Sequence, residues 1–169
     1  MPKDHGIGAS SKRREDIRFL TGEGNYTDDI NVNGQAYVYF LRSDVAHGTL
    51  NGVDTSAADG MPGVVRIFTG ADFEAVGSIP CGWQVTDRHG EPMKEPAHPV
   101  LAQGKVRHVG DPIAAVVADT LEQARDAAEA IELDIQELPA VVNMKAAVQS
   151  GSALVHDDIG TNLCYDWGF

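Results

Sequence analysis

The stretch that decides the fold is His98–Val142, HPVLAQGKVRHVGDPIAAVVADTLEQARDAAEAIELDIQELPAVV. Val109-Gly110-Asp111-Pro112 is turn chemistry, with glycine supplying a permissive backbone and proline fixing φ. Ile113–Ala118 (IAAVVA) follows as a short uninterrupted apolar run, the pattern of a strand buried on both faces. Thr120 and Gln123 have the spacing of a capping box, in which each side chain satisfies a free N–H at a helix start. Ala124, Ala127, Ala128 and Ile131 then recur at helical spacing and form a narrow face able to pack closely on a sheet. From Ile131 the period changes to two, placing Ile131, Leu133 and Ile135 on one side and Glu132, Asp134 and Gln136 on the other. Leu138-Pro139 ends that strand. The segment specifies structure and carries no chemistry of its own.

Working outward, Ala36–Arg42 (AYVYFLR) is the best strand of the first half, aromatic and β-branched. Asn33-Gly34 before it is a tight-turn signal, so a hairpin with Ile30–Val32 is expected. Leu50–Asp54 and Val64–Phe68 read as further strands, the second entered through Met61-Pro62-Gly63. Thr55–Gly60 reads as a single helical turn, Thr69 as the cap of a short helix through Phe73, and Asn143–Val148 as another short helix. Residues 77–99 change composition, with Pro80, Pro92, Pro96 and Pro99 around Cys81-Gly82-Trp83. Such a long irregular excursion is a functional or interfacial loop more often than a packing device. Val155–Phe169 reads as irregular or strand-like. Short strands and short helices with one longer helix give an α+β class, since the link after Ile131 is too short for a parallel crossover.

Bulk properties exclude several functions. The chain has 169 residues, 43% hydrophobic, enough for one domain with a core plus tails. The net charge is −12, and residues 1–18 carry five basic against three acidic residues, leaving −14 on the rest. That body repels nucleic acid and anionic lipid. The Lys12-Arg13-Arg14 cluster, diluted by Glu15 and Asp16, suits an acidic protein surface better than a phosphate backbone. No apolar run approaches the roughly 20 residues of a membrane span, and the start lacks the apolar stretch of a signal peptide. A cytoplasmic location is expected, with Cys81 and Cys164 as reduced thiols, since they lie far apart without CxxC spacing.

Candidate chemistry is sparse. The six histidines (5, 47, 89, 98, 108, 156) lack the HxH or i,i+4 spacing of a metal site. His156-Asp157-Asp158 has no second pole, and Ser43, Asp44 and His47 lie too close in sequence to face one another as a triad. Gly6-Ile7-Gly8 and Gly22-Glu23-Gly24 lack the third glycine of a dinucleotide loop. Trp83 reads equally as an interface anchor or as a cover for a small core. The residues alone give an acidic α+β domain without a self-sufficient active site.

Several strings in order resemble the large-subunit N-terminus of the molybdenum hydroxylases, the family of xanthine dehydrogenase, aldehyde oxidase and aerobic carbon monoxide dehydrogenase. They are Ile7–Ser10 (IGAS), Lys12–Gly22 (KRREDIRFLTG), Tyr26–Ile30 (YTDDI), Leu41–Ser43 with Ala46-His47, Met61–Val65 (MPGVV), Phe68–Asp72 (FTGAD), Lys105–Ile113 (KVRHVGDPI), Leu138–Val141 (LPAV) and Asn162–Cys164 (NLC). The bacterial carbon-monoxide-dehydrogenase-like branch fits best, with a local departure at Asp44-Val45. The resemblance implies an α/β-hammerhead domain over residues 17–150, an N-terminal arm over 1–16, and 151–169 leading into a molybdopterin-binding domain. It implies an enzyme that hydroxylates a carbon centre or oxidises carbon monoxide, using molybdopterin (cytosine dinucleotide), [2Fe-2S] clusters and FAD. Those groups are expected on the remainder of the large subunit, an iron–sulfur subunit and an FAD subunit. The family's molybdenum-contacting residues match no position here, so no catalytic, cofactor-binding or metal-binding residue is assigned. A structural and subunit-docking part, inactive alone, is therefore expected, with a free-standing adaptor of the same fold as the alternative.

Overall fold

The computed structural model describes residues 6–168; His5, Lys3 and Phe169 lie outside them. The chain divides into two compact units, residues 1–35 and 36–169. In the first, α1 (Asp16–Leu20) is one short helix closed by Gly22 at φ +78°. The ring of Phe19 stacks on Tyr26 at 5.3 Å between centroids and lies over Gly24, where a side chain would meet it. The Asp29 carboxylate accepts from the Tyr26 N–H at 2.8 Å and shapes the 3-10 turn Thr27–Asp29. The Asn33-Gly34 turn forms, but the hairpin with Ile30–Val32 does not. The Gln35 side chain takes the Val32 N–H at 2.8 Å and its amide reaches Asn31, so that segment is closed on itself.

The second unit contains two three-stranded antiparallel sheets. One has the order β1 (Tyr37–Arg42), β5 (Pro112–Ala118), β3 (Val64–Thr69); the other has β4 (Lys105–Val106), β2 (Gly48–Asp54), β6 (Glu132–Glu137). Strand β5 is central, which explains why its apolar run does not alternate: Ile113–Val116 are all buried. Pro112 begins it, at a position where a missing N–H is tolerated. On one face of this sheet lies α2 (Leu121–Glu129), packing Ala124, Ala127 and Ala128 onto Ala114, Val116 and Ala118. The small side chains let helix and sheet approach closely. A second cluster, Ala102, Val106 and Ile113, is joined to the first because Val53 and Leu133 touch both. In β6, Leu133 and Ile135 turn inward and Glu132, Asp134 and Gln136 stay exposed, as the two-residue period requires.

The other face of the β1–β5–β3 sheet carries exposed apolar side chains. Register places Val38 and Arg66 on either side of Val117, and Phe40 and Phe68 on either side of Ala115. Val38 is 48% exposed and Phe40 42%. Arg66 lies 4.7 Å over the Phe68 ring and Arg42 5.6 Å over Phe40, so guanidinium planes partly shade the rings.

Two local expectations need correction. Thr55–Gly60 forms consecutive turns, not a helix: the Thr55 carbonyl accepts from both Ala58 and Asp59, while its hydroxyl donates to the Asp59 carboxylate. The capping box of α2 is only half made. Thr120 Oγ1 accepts from the Gln123 N–H at 3.2 Å, but Gln123 Oε1, whose side chain packs against Gly63, is buried with no partner among the described residues. Thr120→Ala is expected to lower stability by about 1 kcal/mol in urea denaturation. A loss under about 0.3 kcal/mol would mean that the remaining bond does not hold the helix.

Candidate functional site

The irregular excursion of residues 77–99 is folded back by a few specific bonds. Ser78 pairs with Pro99, the Ile79 N–H donates to His98 O at 2.8 Å, and the His98 N–H donates to Ser78 Oγ at 2.7 Å. At its tip Asp87 Oδ1 accepts from the N–H groups of Glu91 and His89, the first of which does most to hold its carboxyl below the ordinary aspartate range. The C-terminal segment lies alongside: the Lys94 N–H donates to Cys164 O at 3.0 Å, and Arg88 pairs with Asp166 at 2.6 Å. Asn162 ties that segment down, donating to Ala147 O and Ala153 O and accepting from the Val155 N–H.

Between these layers and the Arg107–Asp111 turn lies a cleft of about 450 Å³. Its walls are largely apolar, from Ile79, Met93, Pro96 and Ala97, and its polar groups include Arg107, His108 and His156. The Asp111 carboxylate accepts from the Arg107 N–H at 2.9 Å and lies 3.8 Å from His108. Asp157 pairs with Lys105, whose ammonium holds that carboxyl below its ordinary range. His156 is held below the ordinary imidazole value, first by burial and then by the charge of Arg107.

Both thiols line this cleft, and both are free and exposed. Cys164 Sγ donates to Lys94 O and Cys81 Sγ to Trp83 O, each at 3.2 Å. Trp83 is 78% exposed, so it does not cover a core. The triad-type residues of the sequence separate. Ser43 Oγ is occupied within its own turn, donating to Val45 O and accepting from the Val45 N–H. Asp44 is exposed, whereas His47 is 4% exposed and donates through Nδ1 to Pro139 O at 3.0 Å. That bond fixes the tautomer, since a proline carbonyl can only accept. Among the described residues no group of three His, Cys, Asp or Glu side chains could hold a metal ion. No helix of the described chain is long and apolar enough to cross a membrane.

The cleft is not legible as a unit in the sequence. Its parts come from three stretches, near residues 79–99, 105–111 and 156–164, and only the first stands out by composition. The available signal is Lys105-Val106-Arg107, where a buried Val106 separates two outward basic residues.

Similarity to known proteins follows the fold closely. The family described as "Aldehyde oxidase and xanthine dehydrogenase, a/b hammerhead domain" matches residues 21–139. The large subunit of nicotine 6-hydroxylase from Paenarthrobacter nicotinovorans is 39% identical over 145 residues, 86% of this chain and 17% of that protein. The crystal structure of quinoline 2-oxidoreductase from Pseudomonas putida 86 superposes with a TM-score of 0.78 at 36% identity, covering 97% of this chain and 20% of the other. A Cu,Mo-CO dehydrogenase structure superposes with a TM-score of 0.75 at 32% identity, covering 96% and 19%. The chain therefore spans about a fifth of the length of the relatives it matches.

Proposed function

Because the chain belongs to the family of aldehyde oxidase and xanthine dehydrogenase α/β-hammerhead domains, we propose that it is the N-terminal hammerhead part of the large subunit of a molybdenum hydroxylase. On this reading it supports and docks, and does not itself react with substrate. The observation that carries the reading is the match of the α/β-hammerhead family over residues 21–139. Molybdopterin, [2Fe-2S] clusters and FAD would sit on the rest of that subunit and on its partners, so no chemical step is assigned to a residue here. A cytoplasmic setting, with Cys81 and Cys164 as thiols, is part of this reading.

The surfaces best suited to docking are the exposed Lys12-Arg13-Arg14 cluster and the Cys81–Trp83 segment. Basic residues on an otherwise acidic chain favour an acidic partner face and speed encounter with it. Reversing all three charges to glutamate in the intact large subunit is expected to reduce recovery of the iron–sulfur and FAD subunits several-fold in co-purification, with an unchanged circular dichroism spectrum. Undiminished recovery would refute this docking role.

A further inference from the structure

In a chain with 25 acidic residues against 13 Lys and Arg, most described arginines find a counter-charge or a ring. Arg13, Arg66 and Arg88 pair with Asp16, Asp72 and Asp166, and Arg18, Arg42 and Arg125 lie over aromatic faces. Arg107 does neither. Among the described residues no carboxylate lies within ion-pair distance of its guanidinium. Among the described residues its hydrogen bond runs from Nη1 to Lys105 O at a long 3.4 Å, and its Nε is buried with no partner there. The carboxylates around it have other partners: Asp111 accepts from the backbone N–H of Arg107, Asp157 pairs with Lys105, and Glu95 accepts from the Cys81 N–H and the Gln84 amide. A half-buried guanidinium without a counter-charge is costly unless its accessible N–H groups find an acceptor.

The surroundings of that guanidinium say what that acceptor is. Arg107 lines the 450 Å³ cleft, within the usual size of small-molecule sites, together with the apolar Ile79, Met93, Pro96 and Ala97 and the charged Lys94 and Glu95. His156 lines the same cleft close enough to feel the charge of Arg107. We propose that this cleft binds a small apolar carboxylate, whose two oxygens engage the Arg107 guanidinium fork beside the His156 imidazole and whose hydrocarbon part lies on the proline-rich wall. A planar guanidinium matches a carboxylate in two parallel bonds, which neither a lysine nor an imidazole alone provides. The site goes beyond the docking role above, although Cys81, in the segment proposed for docking, also lines the cleft.

Benzoate is the probe, titrated into the full 169-residue chain while the Arg107 Nε–H and His156 ring resonances are followed by NMR. Saturable shifts at both are expected. Benzyl alcohol, of the same shape without the charge, should bind at least about tenfold more weakly, and Arg107→Met should weaken benzoate by about ten- to a hundredfold. The benzyl alcohol comparison requires no variant, so it remains decisive if Arg107→Met fails to fold. Bound carboxylate should also raise the pH at which His156 titrates. Benzyl alcohol or inorganic phosphate binding as tightly as benzoate would overturn the assignment. So would tighter binding of a capped glutamate peptide, which would make the cleft a socket for an acidic side chain, or an unmoved Arg107 Nε–H resonance.

Discussion

Replacing Gly70 with alanine is expected to destabilise the chain by about 2–4 kcal/mol, the sum of overpacking and a damaged buried hydrogen bond. Gly70 is buried at the end of β3, and a methyl group there would collide with the carbonyl oxygen of Ala102 and lie 3.0 Å from Gln103 Cγ. The Gln103 side chain can move. The Ala102 backbone cannot move freely, because its N–H donates to Pro112 O at 2.7 Å and its side chain belongs to the Val106–Ile113 cluster. Moving Ala102 therefore disturbs the start of the central strand. Gly60→Ala is the matched control, since no atom lies within 4 Å of the place its methyl group would take; it should leave stability unchanged or slightly raised. Urea denaturation of the two variants measures the difference, and equal midpoints would show that Ala102 yields without cost.

A comparable loss, about 2–4 kcal/mol, is expected for His47→Ala. The imidazole is enclosed beside β2, and its removal leaves both a cavity and the Pro139 carbonyl without its donor. The substitution keeps the neighbouring backbone bond, in which the carbonyl of residue 47 accepts from the Leu138 N–H at 2.8 Å, so exchange there reports how far loss of the ring bond to Pro139 loosens the end of β6. Hydrogen exchange should therefore speed at Leu138 and along β6 before it speeds along β5. A variant with wild-type stability and unchanged exchange at Leu138 would show that the ring serves no structural purpose.

Local order is the legible part of this protein. The turn at Gly110, strand β5, helix α2 and strand β6 follow from neighbouring residues, since turn chemistry, caps and periodicity act over a few positions. Pairing is different. Tyr37 lies opposite Ala118 and Gly48 opposite Glu137, separations at which no local pattern specifies a partner. The hairpin expected before β1 fails for that reason: Asn33-Gly34 does mark a turn, but Gln35 closes it locally and β1 takes a distant neighbour. The family resemblance supplies the architecture that periodicity cannot. It is silent about Arg107, whose missing counter-charge becomes visible only when the committed carboxylates around it are placed.

The position of β5 between β1 and β3 has a consequence for biosynthesis. In the sheet order the two outer strands are not neighbours, and each is paired with the strand translated after them. A nascent chain exposes two unzipped, apolar ribbons until residues 112–118 have cleared the ribosomal tunnel. Closure across such long intervals of chain is slow compared with helix formation. Holding factors acting on the emerging polypeptide would thus matter most during that interval, and translational pausing before β5 would lengthen the period of greatest aggregation risk.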